Sequence, residues 1–163
     1  MKRNIVIDID KCTGCGVCEL VCSFKHSGEF NPLKSRIHVT SSWKDMLAVP
    51  IVCQQCEEAW CSRICPANAI TMTRDEVTGA TLVTVSEDKC VGCKMCMLVC
   101  PFGCIVVSEK GYAEKCDLCG GDPECVKFCY HGALQYIEPV MGMIVKKRAV
   151  GERILDLYKE VQM

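Results

Sequence analysis

The spacing of the cysteines is the feature that most constrains how this chain can fold. Sixteen of its seventeen cysteines fall into four groups of four. The groups are Cys12, Cys15, Cys18 and Cys22; Cys53, Cys56, Cys61 and Cys65; Cys90, Cys93, Cys96 and Cys100; and Cys116, Cys119, Cys125 and Cys129. Every group begins as Cys-x2-Cys and ends as Cys-x3-Cys. A pattern that recurs four times in 163 residues indicates a chain built around its cysteines.

This spacing predicts iron–sulfur clusters. The third group, followed by Pro101, is the run found in bacterial two-cluster ferredoxins. A Cys-x2-Cys-x2-Cys loop supplies three thiolates, and its successive backbone N–H groups can face the cluster sulfides. Gly14 and Gly92 lie inside two of these loops, where a residue without Cβ is useful. We therefore predict four [4Fe–4S] clusters, with all sixteen grouped cysteines as ligands.

Two other uses of many cysteines fit less well. Structural zinc sites typically use two separated Cys-x2-Cys pairs, which differ from these triplets with a fourth cysteine. A disulfide framework requires an oxidising compartment. Asp8 and Asp10 interrupt the first apolar run, so no signal core is recognisable and we expect a cytoplasmic location. For the odd Cys104, we weigh a redox-active or substitute ligand against a small buried hydrophobic residue, and favour the latter.

Composition excludes several functions. The net charge of −1 gives no indication of nucleic-acid binding. Uncharged apolar stretches such as residues 46–53 are far shorter than the ~20 residues of a membrane span. No nucleophile–base pair or phosphate-binding glycine loop is recognisable, so the chain is not expected to be an enzyme alone.

The segments after the cysteine groups predict short strands. Residues 70–72, 105–107 and 134–137 are apolar and follow turns, and residues 80–85 are β-rich after the turn residues Thr78 and Gly79. We predict an α+β fold of two nested ferredoxin-like units. Residues 1–48 with 109–138 form the outer unit, residues 49–108 the inserted inner unit, and residues 139–163 a C-terminal extension. Sequential pairing of the groups is the alternative; it is less favoured because no strand-hairpin pattern is recognised between the first two groups.

Nesting predicts how the cysteines divide, because the fourth cysteine of a group ligates the cluster of the neighbouring loop. The outer sets are Cys12, Cys15, Cys18 with Cys129, and Cys116, Cys119, Cys125 with Cys22. The inner sets are Cys53, Cys56, Cys61 with Cys100, and Cys90, Cys93, Cys96 with Cys65.

Basic and amphipathic residues suggest further roles. Lys11, Lys89 and Lys115 each precede a first cysteine; they either offset cluster charge or are solvated loop residues. From residue 150 onward, apolar residues at helical spacing predict an amphipathic helix. We favour partner binding or self-association over packing on the chain's own domain. His26, His38 and His131 are interpreted as surface or packing residues, and Trp43 and Trp60 as packing or interface residues.

The chain resembles the dimethyl sulfoxide reductase β-like family, the four-cluster subunits of molybdenum and tungsten pterin oxidoreductases. The features are the four groups, Phe30-Asn31-Pro32 with Ser35-Arg36-Ile37, Pro50 before Cys53, and Lys115-Cys116-Asp117. The compact Cys119–Cys125 loop is similar to the small subunits of tungsten aldehyde oxidoreductases. The resemblance implies an electron wire between a catalytic pterin subunit and a second redox partner.

Other functions remain open at this point. The chain is alternatively a free polyferredoxin, or the electron-transfer subunit of a hydrogenase, formate dehydrogenase or carbon monoxide dehydrogenase. A third hypothesis, a structural or regulatory protein that uses metal only for folding, is disfavoured because one or two metals suffice for that.

Overall fold

The computed structural model describes residues 3–42, 44, 46–74 and 81–138. The predicted C-terminal amphipathic helix, the turn at Thr78 and Gly79, and Trp43 lie outside the described residues. Within them, short helices and two-stranded antiparallel sheets alternate, which is the predicted α+β class. The elements are β1 Asn4–Ile7, α1 Val17–Ser27, β2 His38–Ser42, β3 Leu47–Ile51, α2 Trp60–Arg63, β4 Ile70–Arg74, β5 Thr81–Val85, α3 Met95–Val99, β6 Ile105–Val107, β7 Ala113–Lys115, α4 Glu124–Lys127 and β8 Leu134–Ile137.

The two ends of the described chain come together. Strand β1 pairs with β8 antiparallel, with Ile5 opposite Tyr136 and Ile7 opposite Leu134. Helix α1 also packs against α4. The predicted pairing of the first and last strands is confirmed, although β1 ends at Ile7 and Ile9 is part of a 3-10 turn.

The middle of the chain pairs with itself. Strand β4 pairs with β5, and β6 pairs with β7. Helix α2, from the second cysteine group, packs against α3, from the third. The strands predicted after the second, third and fourth groups are present as β4, β6 and β8.

The connection between the first two groups was predicted wrongly. It contains a hairpin, in which β2 pairs with β3 and Val39 lies opposite Pro50. The strand signal is weak because β2 is rich in Ser and Thr on exposed positions and β3 contains a proline.

Helix α1 is also longer than the one or two turns expected for a cluster-binding helix. It runs for 11 residues and ends at Gly28, whose φ of 73° is left-handed and whose N–H bonds to Phe24 O. The second and third groups are followed by Pro66 and Pro101, whereas Ser23 follows Cys22. The helix can therefore continue past its last cysteine.

The interior mixes aliphatic side chains with cysteines. One buried cluster combines Ile5, Ile37, Val52, Leu118 and Leu134 with Cys18, Cys22, Cys53, Cys104, Cys116 and Cys125. A second combines Ala59, Ile70, Val83, Ile105 and Ala113 with Cys96. The partly buried Cys61, Cys65, Cys90 and Cys100 pack against the second cluster, so the interior as a whole is rich in thiols.

Among the described residues, no helix is long and apolar enough to cross a membrane.

Candidate metal centres

The loop that starts each cysteine group has a common backbone shape. In all four loops the residue before the second cysteine is left-handed: Gly14 at φ 70°, Gln55 at 47°, Gly92 at 67° and Leu118 at 56°. This conformation turns the chain sharply between the first and second cysteines. A left-handed residue is also a component of the backbone nests that bind anions through successive N–H groups.

Three pockets are each lined by four of the grouped cysteines, taken from two groups. We name each site after its first loop cysteine. The Cys12 site has Cys12, Cys15, Cys18 and Cys129. The Cys53 site has Cys53, Cys56, Cys61 and Cys100, and the Cys90 site has Cys90, Cys93, Cys96 and Cys65.

The four remaining grouped cysteines lie near one another and make up a fourth site, the Cys116 site. They are Cys22, Cys116, Cys119 and Cys125. Burial raises the pKa of Cys125, and the negative charge of nearby Cys116, Cys22 and Cys119 adds to the effect. Cys22, Cys116 and Cys125 also belong to one buried cluster. The structure thus brings Cys22 of α1 to the loop of the fourth group.

Backbone N–H groups donate hydrogen bonds to the sulfurs of several grouped cysteines. Arg36 N–H donates to Cys22 Sγ at 3.4 Å, and Leu118 N–H to Cys116 Sγ at 3.4 Å. Ala69 N–H donates to Cys65 Sγ at 3.3 Å, and Ala113 N–H to Cys90 Sγ at 3.4 Å. Such bonds stabilise sulfur that carries negative charge, and they help to set the potential of a bound cluster.

Burial keeps several of these thiols protonated while no metal is bound. It raises the pKa of Cys18 and of Cys116 to about 12, with smaller increases from neighbouring acidic groups. A metal ligand must be the thiolate, so metal binding has to displace these protons. Without a metal, these buried thiols are poor nucleophiles at neutral pH.

Exposure differs between the sites. Cys15 and Cys93 are exposed, and every other cysteine is buried or half-buried. Cys15 belongs to the Cys12 site and Cys93 to the Cys90 site. The Cys53 and Cys116 sites therefore lie deeper in the protein than the other two.

Cys104 is buried, as favoured from the sequence, and it lines the same pocket as the Cys53 site. Burial and the neighbouring Cys53 raise the pKa of its thiol to about 12. Its S–H donates to Phe102 O at 3.4 Å. Cys104 is accordingly a neutral thiol packed beside four grouped cysteines.

A group of polar side chains around the Cys116 site is not recognisable from local sequence patterns. His26 Nε2 lies 3.9 Å from Cys119 Sγ and 3.6 Å from Asp117 Oδ1. Arg36 Nη1 donates to Asp117 Oδ2 at 3.1 Å. Burial and the Arg36 charge lower the pKa of His26. The sequence shows Asp117 directly after Cys116. Its contact with Arg36, however, spans 81 residues, and such a contact leaves no local pattern.

The three lysines that precede a cysteine group differ in their surroundings. Lys89 is exposed, and Lys11 Nζ forms an ion pair with Asp8 at 2.9 Å at the surface. Lys115 is only 3% exposed. Lys11 and Lys89 are therefore solvated loop residues, whereas Lys115 lies in the interior.

The residues present fit [4Fe–4S] clusters. Each site offers four sulfur donors, the set that cubane clusters use, and each loop has a left-handed residue before its second cysteine. Residues 44–139 match the family model described as 4Fe-4S dicluster domain, and residues 5–24 match that of the 4Fe-4S binding domain. The chain belongs to the 4Fe-4S dicluster domain family.

Two relatives of this 4Fe-4S dicluster chain match it along most of their own length, whereas the chain spans only about a quarter of some others, such as the "putative oxidoreductase UacF" of Escherichia coli at 22%. The chain is 39% identical to the "aliphatic sulfonate oxidoreductase, polyferredoxin-like subunit" of Pyrococcus furiosus, over 96% of this chain and 91% of that protein. It is 32% identical to the "electron transport protein HydN" of Escherichia coli, over 82% and 87%. A chain of the "active site complex BamBC of benzoyl coenzyme A reductase as isolated" aligns with 26% identity over 99% and 97%, at a TM-score of 0.48.

These descriptions name electron transport proteins and oxidoreductase subunits. The prediction that the chain transfers electrons for an oxidoreductase, without being catalytic alone, agrees with them.

Proposed function

We propose that this chain is the electron-transfer subunit of an oxidoreductase complex and that it carries four [4Fe–4S] clusters. Each bound cluster would supply reversible one-electron chemistry at a potential that the surrounding protein sets. The main support for this proposal is the lining of three pockets. In each, three loop cysteines of one group lie beside the last cysteine of a different group.

We further propose that all sixteen grouped cysteines are ligands, divided as the four named sites divide them. Placing Cys22 with Cys116, Cys119 and Cys125 is supported by their mutual electrostatic influence. The position of Cys65 in the lining of the Cys90 pocket, beside Cys90, Cys93 and Cys96, supports the same division.

The division fits two nested units, with the inner one inserted into the outer one. Pairing of β1 with β8 and packing of α1 on α4 support an outer unit, and packing of α2 on α3 supports an inner unit. The β2–β3 hairpin lies between the first two groups but pairs only within itself, so it does not favour sequential units.

The four sites are suited to a linear order. Cys18, Cys22, Cys53, Cys116 and Cys125 share one buried cluster, which brings the Cys12, Cys53 and Cys116 sites together. Cys53 and Cys22 both help to raise the pKa of Cys116, so the Cys53 and Cys116 sites are neighbours. Helix α1 carries both Cys18 and Cys22, which joins the Cys12 site to the Cys116 site. Cysteines of the Cys53 and Cys90 sites meet in the other cluster. The order is then the Cys90, Cys53, Cys116 and Cys12 sites, with the exposed Cys93 and Cys15 at the two ends. A chain with two accessible ends can exchange electrons with two partners.

Exposed apolar side chains around the pockets suit partner docking. Tyr130 and Phe128 line the Cys12 pocket and are 95% and 55% exposed. Val91 lines the Cys90 pocket and is 70% exposed. Apolar surface at the mouth of a redox site favours contact with another protein. Four clusters would also make the holoprotein more acidic than its sequence, since each cluster with four thiolates is anionic, and would favour basic partner surfaces.

The partner we propose is a catalytic subunit with a tungsten or molybdenum pterin, and a second redox protein would bind the other end. The residues that resemble the dimethyl sulfoxide reductase β-like family support this choice, including Arg36 and Asp117, which form an ion pair beside the Cys116 site. We place the complex in the cytoplasm, because thiolate ligation needs reduced cysteines.

The test is metal analysis of the protein purified without oxygen and at low salt from its native host. We expect about sixteen irons per chain, together with tungsten or molybdenum in a larger subunit that co-purifies. Iron that belongs to the larger subunit is subtracted after separation. A redox titration of the isolated chain should show reversible reduction.

Three other results would contradict parts of the proposal. Full iron without a companion protein indicates a free polyferredoxin. A companion without either metal removes the pterin partner. Zinc in place of iron, or no reversible reduction, refutes electron transfer altogether.

A further inference from the structure

Lys115 is a charged side chain in the interior. It is the last residue of β7 and is 3% exposed. Its Nζ donates to Val83 O at 2.5 Å, to Cys116 O at 3.2 Å and to Gln55 Oε1 at 3.4 Å. All three acceptors are neutral, so they satisfy the N–H groups but do not compensate the charge.

A buried cation needs a negative counterpart, because an isolated charge in a low-dielectric interior is costly. In the part of the chain that the structure describes, no ion pair joins Lys115 Nζ to a carboxylate. The side chain instead lines the pocket of the Cys53 site, together with Cys53, Cys56, Cys61 and Cys100. Thiolates bound to a cluster would supply the missing negative charge there.

Gln55 fixes the position of this ammonium group. It is 1% exposed and lies between the first two cysteines of its loop. Its Oε1 accepts from Val83 N–H at 2.9 Å as well as from Lys115 Nζ, and its Nε2 donates to Cys116 O at 2.5 Å. The loop of the Cys53 site, strand β5 and the start of the fourth group are thereby joined around Lys115.

Lys115 precedes Cys116 in the sequence, which suggests the Cys116 site, but its side chain lines the pocket of the Cys53 site. It therefore lies at the junction of the two deeper sites. The equivalent Lys11 and Lys89 stay at the surface, so position before a cysteine does not explain its burial.

We propose that Lys115 is a built-in positive charge that raises the reduction potential of the Cys53 site. Reduction adds one negative charge, and a fixed cation held close in a low-dielectric interior stabilises the reduced form more than the oxidised form. Lys115 is a positioning residue in this sense: it ligates nothing and acts through its charge. The inference rests on the proposed clusters.

The experiment compares Lys115→Met with the wild-type holoprotein by redox titration, monitored by electron paramagnetic resonance under anaerobic conditions. We expect the Cys53 site to become harder to reduce. At the wild-type midpoint its ratio of reduced to oxidised form should fall at least tenfold, which is about 59 mV for one electron. The reduction potentials of the terminal Cys12 and Cys90 sites should change less.

Three further variants separate charge from packing. Lys89→Met removes an equivalent but exposed lysine and should leave every potential unchanged. Lys115→Arg keeps the positive charge, so the potential of its Cys53 site should stay close to that of the wild-type protein. If Lys115→Met does not retain iron, Gln55→Glu keeps the lysine and the side-chain shape but adds a negative charge beside Nζ, and should shift the potential in the same direction.

An unshifted Cys53 site in iron-loaded Lys115→Met or Gln55→Glu overturns the inference. A shift as large in Lys89→Met does so too. Failure of the proposed function is distinguishable, because it would appear in the wild-type protein as missing iron or absent reversible reduction.

Discussion

At the scale of single residues, the left-handed position before each second cysteine is filled in two ways. Gly14 and Gly92 adopt it without strain, whereas Gln55 and Leu118 adopt it with side chains that are 1% and 2% exposed. Left-handed backbone costs an ordinary residue roughly 1–2 kcal/mol. The two exceptions belong to the Cys53 and Cys116 loops, where Gln55 contacts Cys116 O and Leu118 fills the core. Packing at the deeper sites therefore offsets the backbone cost.

Gly92→Ala tests how tightly one loop is held. Its new Cβ would lie 2.6 Å from Gly111 O, so backbone must move in addition to the left-handed strain. We expect the Cys90 site to lose its cluster at least tenfold faster in mild denaturant, followed by visible absorbance under anaerobic conditions.

Gly103→Ala is the matched control for that experiment. Gly103 is also left-handed, at φ 62°, but nothing lies within 4 Å of its added Cβ. Gly103→Ala should cost only the backbone strain of roughly 1–2 kcal/mol. Equal rates of cluster loss in the two variants would show that the contact with Gly111 has no effect.

At the scale of elements, the helices carry the last cysteine of each group away from its own loop. Cys22 follows Cys18 by about one turn inside α1 and is buried near Cys125. Cys129 comes just after α4 and lines the pocket of the Cys12 site. Because α1 packs against α4, each helix can serve the loop of the other.

Cys129→Ser and Cys22→Ser form a reciprocal test of this exchange. We expect Cys129→Ser to alter the signal of the Cys12 site and Cys22→Ser that of the Cys116 site, because the hydroxyl is a poorer iron ligand than a thiolate. Electron paramagnetic resonance with iron counting checks both. If each substitution changed only the site of its own loop, the exchange would be absent.

Many of the strands and their pairings are predictable from the sequence. The others are not, because they depend on contacts between distant residues or carry no local pattern. Cysteine spacing and apolar runs are local patterns, and they predicted β4, β6, β8 and the pairing of β1 with β8. The β2–β3 hairpin carries Pro50 and a polar, exposed strand, so its pattern resembles a loop. Burial of Lys115 depends on Gln55 and Val83, which are 60 and 32 residues away. No local pattern distinguishes it from Lys11.

At the scale of the whole molecule, cysteines occupy positions that aliphatic side chains take in an ordinary core. Of the eleven residues in the larger buried cluster, six are cysteines. A core of this kind has few apolar contacts when its metal is absent. The free energy of metal binding must then supply much of the free energy of folding.

We therefore expect the protein to unfold largely when its clusters are removed. Oxidative removal of the iron in the presence of a chelator should abolish most far-ultraviolet circular dichroism from the helices. Chelator alone, without oxidant, is the control and should leave the spectrum unchanged. A metal-free protein that still melts cooperatively would show that the aliphatic part of the core suffices.

The exposure of Cys15 and Cys93 has a consequence for the lifetime of the molecule in air. Dissolved dioxygen attacks sulfur and iron that it can reach, and oxidation of cysteine follows exposure. The two accessible sites are those through which electrons would enter and leave. Damage would consequently begin at both ends and proceed inward, and the protein would be cut off from its partners while its deeper sites were still intact.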